Sequence, residues 1–387
     1  MRAGIMIKEI TVFSYGDSNL LKTWSNVPYF FTKTFADDGV SVNRVNVEPN
    51  RLLAGLWNRV FLRLIHVIFK NSTYTFDRTP FFRFLTNRKM KIAVQKYPQT
   101  DVFISISFSF HPKKYTDKPV LMFCDWTYDY YFQYFQHRKP DFLETQEIRN
   151  QHQLQSTADG LLALFPDTCK YISDQGYCKN VFYLGNVINS ETFNATNETV
   201  MEKFNSNDIV FIGADKYLPG LITLLQAVQI LGTAFKGRVQ IIGINKDKIP
   251  SSLLSDKTRV YGYLDKSSVS ERNRYYDIVN KAKVFVNTNP RWSSFSASLE
   301  SMYHMTPIIT THYRSFIETF GENIKFGYYS ENDPTEVSIL LRRILNLNLT
   351  EYKKMSLAAH DAVTSFTWPV YIDKLENKIQ SIIDKGK

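Results

Sequence analysis

Short apolar runs alternate with longer amphipathic ones along the whole chain. ITVFSY (10–15) is β-rich, and Gly16-Asp17-Ser18 breaks it. A helix is predicted through Tyr29 to Phe35, and Asp37-Asp38-Gly39 ends it before VSVNRVNV (40–47) returns as a strand. The same rhythm continues through TDVFISISF (100–108), KPVLMFCD (118–125), GLLALFP (160–166) and NVFYLGN (180–186). Strands alternating with helices predict a parallel sheet covered on both faces. Ligands of such sheets gather at the carboxyl ends of the strands, where Gly16 falls.

A polar stretch at roughly 190–207 has no apolar period and reads as a linker. The pattern then restarts with DIVFIGA (208–214), a helix over 218–235, RVQIIGI (238–244) and RVYGYL (259–264). A helix through 271–282, the strand KVFVN (283–287), the helix SLESMYHM (298–305) and the strand PIITT (307–311) follow, with two more helices to the end. The expected fold class is α/β, two consecutive doubly wound, Rossmann-like domains facing each other across a cleft. They span 1–190 and 208–365, with 191–207 as linker.

Composition fits that picture: 44% of the 387 residues are hydrophobic and 22% charged, as in a folded chain. Three scattered cysteines form no CxxC pair, which argues against a disulfide framework or a zinc site and for a reducing compartment. The first residues lead straight into a strand, so no secretory leader is expected. No run of about 18 uncharged apolar residues is found in the sequence, so no membrane span is expected. The expected location is cytoplasmic.

The net charge of +10 is concentrated: residues 51–92 hold nine basic side chains against one acid, Asp77. On a helix, Arg59, Arg63, His66 and Lys70 form one polar stripe, and Trp57, Phe61, Leu62, Leu64, Ile65, Ile68 and Phe69 cover the rest. Two readings stay open. Either this is an interfacial helix touching an anionic membrane surface or lipid-linked acceptor through Trp57, Arg59, Arg63 and Lys70, or it is a domain helix with one wet edge. The first adds a peripheral position at the inner face of the cell membrane. Nucleic acid is not an expected partner, because the stripe is set among apolar residues and no RNA- or DNA-binding motif accompanies it.

The segment Asn287–Thr311, NTNPRWSSFSASLESMYHMTPIITT, carries the most chemistry. A buried strand enters a loop of small residues and then a helix bearing Glu300. Small residues let backbone amides at a helix N-terminus approach an anion, and the helix dipole favours a phosphate there. An acid one turn in can accept hydrogen bonds from vicinal hydroxyls such as those of ribose. The same residues also make an ordinary serine-rich helix start.

Here the chain resembles the retaining GT-B glycosyltransferases of the large family 4 (glycosyl transferases group 1). SLESMYHMTPIITT is similar to that family's donor-site signature. GNVINSETF (185–193), IVFIGADKYLPGLITLLQAV (209–228), the segment 259–287 and FTWPVYIDKLENKI (366–379) are similar to further family segments in the same order. The likeness covers 180–380; the first half shares only the rhythm. It implies an enzyme of the EC 2.4 class that moves a sugar from a nucleotide-sugar donor to a glycan or lipid-linked acceptor. The reaction it implies is retaining, needs no metal or other cofactor, and serves surface polysaccharide or glycoconjugate assembly. The first domain would bind the acceptor, the second the donor, and a helix at about 366–385 would pack back onto the first.

By the same resemblance Glu300 would bind the donor ribose, and Ser294, Phe295, Ser296 and Ala297 would meet the pyrophosphate or sugar. Gly213 would allow close backbone approach, and Gly262 and Tyr263 would lie beside the base; Gly16 joins the expected donor set from its strand-end position, not from the resemblance. Two departures stand out. Trp292 occupies the place of a family acid, and Ala214 and Pro219 occupy the places of an arginine and a lysine. Lys216 and Arg291 are the nearest cations and complete the expected donor set. These departures keep open a non-catalytic relative, an inverting enzyme or an epimerase of the same fold.

No Asp-x-Asp follows a strand in a way that suits a divalent ion with diphosphate, so no metal ligands are expected. In the first half, His111 and Asp125 close strands and are the catalytic candidates, as groups that position substrate in a retaining reaction; a satisfied histidine and a capping acid are the plainer readings. Trp126, Tyr128, Tyr130, Tyr131 and Phe132 are expected either as an acceptor platform or as packing.

Overall fold

The computed structural model describes residues 7–385. The first six residues, read above as leading straight into a strand, lie outside the described residues. The chain divides into two compact units, 1–186 with 368–387, and 187–367.

In the first unit, β1 (Glu9–Ser14), α1 (Val27–Asp37), β2 (Ser41–Asn46), α2 (Arg51–Ile68) and α3 (Pro80–Lys96) are followed by β3 (Val102–Ile106) and β4 (Val120–Cys124). A short helix, α4 (Tyr128–Tyr130), runs into a π-helical turn, Tyr131–Gln136, before α5 (Phe142–Thr157), β5 (Gly160–Ala163), α6 (Pro166–Gln175) and β6 (Val181–Phe182). The sheet order is β2-β1-β3-β4-β5-β6, parallel throughout. β1, β3 and β4 are covered on both faces, which is why they read as continuous apolar runs. The helix Trp368–Lys385 belongs to this unit: Trp368 lies edge-on to Phe31 with centroids 5.8 Å apart, and Tyr371 edge-on to Phe123 at 5.8 Å. Tyr371, Ile372, Leu375 and Ile379 of that helix are buried.

The second unit holds α7 (Asn197–Ser206), β7 (Ile209–Ile212), α8 (Leu218–Leu231), β8 (Val239–Ile242), β9 (Thr258–Gly262), α9 (Val269–Lys281) and β10 (Val284–Asn287). α10 (Phe295–Tyr303), β11 (Ile308–Thr310), α11 (Arg314–Phe320), β12 (Gly327–Tyr329), α12 (Pro334–Leu345) and α13 (Leu349–Asp361) complete it. Its sheet, also parallel, runs β12-β11-β10-β7-β8-β9.

Three details differ from the sequence reading. The segment 191–207, expected as linker, contains α7, which Thr196 caps by accepting from Thr199 N–H. This helix buries Val200 and Lys203, and a buried lysine hides the apolar period. The Lys203 ammonium donates to Val279 O at 2.6 Å and Thr306 Oγ1 at 2.8 Å; burial holds its pKa well below the usual lysine range. Second, four helices and the strand β12 follow PIITT to the end of the described residues, where two helices were expected. Third, the run Asp215–Ala234 is long and apolar enough to cross a membrane by length and composition, contrary to expectation. Within it α8 buries Leu221, Leu224 and Ala227 completely, as a helix covering a sheet does.

Candidate functional site

The order of the second sheet sets where a ligand fits. From β7 the chain proceeds to β8 and β9 on one side, then crosses to β10 on the other. The strand order therefore reverses between β7 and β10, and such a switch point opens a crevice at the carboxyl edge. Both flanking helices, α8 after β7 and α10 after β10, begin there. Gly220 in the first turn of α8 sits so close to the β10 loop that a Cβ would meet Asn289 N at 2.6 Å and Asn287 Oδ1 at 3.0 Å. Ser294, immediately before α10, donates to Ile212 O at 2.7 Å and accepts from Asn287 Nδ2 at 2.6 Å, which fastens the start of α10 to the end of β7. Ser293 donates to Asn287 O at 2.7 Å. These serine hydroxyls are ties within the loop. What the loop offers an anion is its backbone: the first helical hydrogen bond is Ser298 N–H to Ser294 O, and the amides of Ser296 and Ala297 precede it. Ser296 is exposed, whereas Phe295 and Ala297 are buried.

Glu300, one turn further, is 5% exposed. Its Oε1 accepts from Lys266 Nζ at 2.5 Å and its Oε2 from the Tyr275 hydroxyl at 2.7 Å. Lys266 also lies 4.0 Å from the Tyr275 ring centroid. The neighbouring carboxylate and burial raise the Tyr275 pKa well above its usual value, burial being the larger cause, so the phenol keeps the proton it donates. An ionised carboxylate has about four lone-pair directions. Each Glu300 oxygen thus retains acceptor capacity for a ligand hydroxyl. Lys266 was not singled out in the sequence; only the fold carries it from the β9–α9 loop to α10.

Three glycines close adjacent strands at the same edge. Gly213 N–H donates to Ile242 O at 3.0 Å, and Gly243 N–H to Gly262 O at 2.7 Å. Gly243, with φ +98°, approaches Gly213 so closely that a Cβ would stand 2.4 Å from its carbonyl oxygen. Gly243 also escaped the sequence reading, although VQIIG repeats the strand-glycine ending of IVFIG. Tyr263, after Gly262, is 66% exposed. Lys216 and Arg291 are both exposed, Arg291 with a left-handed φ of +70° and Lys216 with its ammonium 5.0 Å from the Tyr217 ring centroid. Trp292 is buried against Phe295 and Tyr313, with centroids 6.1 and 5.0 Å away, so the place of the family acid is packing here.

In the first unit the strand order reverses between β1 and β3. A cavity of about 390 Å³ lies there, lined among others by Tyr15, Trp24, Asp77, Phe82, Ser107 and Tyr128. Burial, aided by Asp77, pushes both phenols up to about 12, so Tyr15 and Tyr128 remain hydrogen-bond donors. The Arg78 guanidinium stands 4.2 Å from the Tyr128 ring centroid. Neither catalytic candidate from the sequence lines this cavity. His111 is 5% exposed; its Nδ1 accepts from Lys113 N–H at 3.1 Å and its Nε2 meets Leu154 O at 2.9 Å, so the fold engages both nitrogens. Asp125 Oδ1 accepts from Trp126 N–H at 2.8 Å and from the Cys124 thiol at 3.3 Å. Of the expected aromatic platform, Tyr128 lines the cavity, while Tyr130 and Phe132 are 2% and 1% exposed and serve packing. Gly16, with φ +99°, ends β1 and belongs to this unit, apart from the rest of the expected donor set; its N–H donates to Asn46 Oδ1 at 3.1 Å.

Two buried histidines make stability pH-dependent. His304 contacts Asn280 Oδ1 at 2.7 Å and Ser190 Oγ at 3.0 Å, and burial, with Lys203, Lys266 and His360 nearby, lowers its pKa to about 3. Burial lowers His111 as well. A histidine held neutral in the fold binds fewer protons than the unfolded chain below its ordinary pKa of about 6.5, so stability rises with pH in that range. Acidification from pH 6.5 to 5 is expected to cost about 2 kcal/mol through His304 alone. Thermal melts across that range check this; a His304→Gln variant should show the flatter profile, and an unchanged slope would count against the assignment.

Arg59 and Arg63 of α2 are exposed, as the pattern expects; Lys70 is exposed too, but the helix ends at Ile68, so this residue lies in the turn beyond it rather than on the stripe. Trp57 differs. It is half-buried, its indole N–H directed at Tyr74 O at 3.4 Å and its ring stacked on Phe61 at 4.8 Å, because the helix must rest on something and the largest side chain supplies it. Among the described residues no group of three or more His, Cys, Asp and Glu side chains is arranged to hold a metal ion.

No protein-family model matches the chain, and no curated protein is similar in sequence. Solved structures are similar in fold. A sucrose-phosphate synthase from Thermosynechococcus elongatus aligns over 98% of this chain and 100% of its own at TM-score 0.68 and 13% identity. HepE of Anabaena, solved in complex with UDP and glucose, aligns over 97% and 100% at TM-score 0.63 and 9% identity. A glycosyltransferase from Rickettsia africae ESF-5 aligns over 97% and 99% at TM-score 0.62 and 14% identity. With two six-stranded parallel sheets flanked by helices and a likeness that runs nearly end to end, the chain has the GT-B glycosyltransferase fold.

Proposed function

We propose that this protein transfers a sugar from a nucleotide-sugar donor to a glycan or lipid-linked acceptor. The observation that carries the reading is the convergence of the α8 and α10 starts on the β7/β10 switch point, beside a glycine edge and the Glu300 carboxylate. Two helix N-termini and close backbone suit a diphosphate. Glu300 accepts the ribose hydroxyls, Gly262 and Tyr263 flank the base, and Lys216 and Arg291 supply cations. The structure of HepE with UDP and glucose supports a uridine nucleotide as the first donor to try. Departing charge on the diphosphate is stabilised by amides, dipoles and those cations, so the proposed reaction, with retention, requires no metal. The acceptor enters the first unit's cavity, where Asp77, Ser107 and the two phenols present polar groups among aromatic walls. The pathway served is surface polysaccharide or glycoconjugate assembly.

Thermal melting with nucleoside diphosphates and nucleotide sugars tests the donor site. A ligand at a hundredfold excess over its Kd stabilises by about 2.7 kcal/mol, equivalent to about 5–10 °C for a unit of this size. No shift with any nucleotide would sink the proposal. The packed Trp292, in the place of the family acid, favours a second reading, a binding protein without turnover. A shift without donor hydrolysis or transfer would select that reading.

A further inference from the structure

Among the described residues, α2 is a long helix of the first unit whose outer face is left uncovered. None of its 18 residues is buried. Leu52, Leu53, Leu56, Val60, Phe61, Leu64, Val67 and Ile68 are 42–80% exposed. At 100° per residue, Leu56, Val60, Leu64 and Val67 fall on one side of the helix, and Arg59 and Arg63 lie along the edge next to them, with exposed Lys70 in the turn just past the helix end. No Asp or Glu occurs between Arg51 and Phe76. α3 repeats the combination, with Phe81, Phe84 and Ile92 51–61% exposed alongside exposed Arg88 and Lys91.

We propose that α2 docks this protein on an anionic lipid bilayer, its apolar face entering the acyl boundary and its arginines and Lys70 meeting the headgroups. Charge complementarity selects this occupant. A helix about 27 Å long, with a purely cationic edge beside its apolar face, matches the layered chemistry of an anionic bilayer surface, which demands depth rather than a matching shape. A protein partner or a second copy would leave this row of cations to be paired individually. A chain of ring contacts also links the helix to the cavity: Trp57 to Phe76 at 6.3 Å, Phe76 to Phe82 at 6.2 Å, and Phe82 to Tyr15 at 5.9 Å. Phe82 and Tyr15 line the cavity. Resting on the transferase reading above, this continuity makes the acceptor an amphiphile whose polar head enters the cavity from the bilayer. The docking itself does not depend on that reading.

Co-sedimentation with vesicles of phosphatidylcholine alone, or with about one third phosphatidylglycerol, tests the docking. The full chain should sediment with the anionic vesicles at low salt and be released as salt screens the charges. Replacing Arg59 and Arg63 by Gln should weaken partitioning about thirtyfold, since each cation near an anionic surface contributes about fivefold. Leu56→Ser and Leu64→Ser should each weaken it about tenfold. All four side chains are exposed, and unchanged melts will show that the variants fold. Absence of sedimentation at low salt, equal sedimentation with neutral vesicles, or indifference to the leucine substitutions would each overturn the proposal. So would self-association that the same substitutions abolish while vesicles are ignored. Vesicle binding without any nucleotide-induced shift would leave the docking standing and remove the transferase reading.

Discussion

Glu300→Ala is expected to abolish the thermal shift produced by a nucleoside diphosphate and to lower the melting point of the free protein. Both effects follow from the same contacts. The carboxylate carries the acceptors proposed for the ribose hydroxyls, and it also neutralises Lys266, whose side chain is only 11% exposed. Removing one partner of such a pair leaves a poorly solvated cation, at a cost of about 3 kcal/mol. The double variant Lys266→Met, Glu300→Leu separates the two roles. Replacing a buried pair by apolar side chains is close to neutral, so stability should largely return while the nucleotide shift does not. A folded Glu300→Ala protein that keeps its full shift would remove this residue from the donor site.

The second large effect concerns a glycine. Gly243→Ala places a Cβ 2.4 Å from Gly213 O and forces an L-residue to φ +98°. Backbone cannot yield as a side-chain tip can, so the β7 and β8 ends must separate. The expected cost is about 3 kcal/mol or more, left-handed strain and clash acting together, with loss of nucleotide binding. Gly176→Ala is the comparison: φ is +72° there, but nothing lies within 4 Å of the added carbon, and about 1 kcal/mol is expected. Melting curves decide. If the Gly243 variant loses no more than the Gly176 variant, the close approach at the strand ends does not matter to the fold.

How much of the site was legible depends on how local each signal is. Ser293 and Ser294 were visible as a small-residue loop before a helix, yet their hydroxyls turned out to tie that loop to Ile212 and Asn287. Hydrogen-bond partners across 82 residues of sequence leave no mark in the loop itself. Asp125 was correctly placed directly after β4, whereas β3 stops at Ile106, five residues before His111. Side-chain direction also depends on neighbours: Leu154 and Lys113 take both nitrogens of the histidine, and Trp126 holds the acid. Asp77 and Tyr15, which line the cavity, gave no signal as a pair, since 62 residues separate them.

The sequence alone determined the two parallel sheets and the basic stripe of α2 through Arg59 and Arg63. Both rest on periodicity, which expresses whether successive side chains meet water or core, and that is decided within a few residues. Only the tertiary structure decided that Lys266 and Tyr275 grip Glu300, that three glycines align at one strand edge, and that Lys203 fills an interior. Those are meetings of residues distant in sequence, created when strand order brings separate loops to the same edge of a sheet.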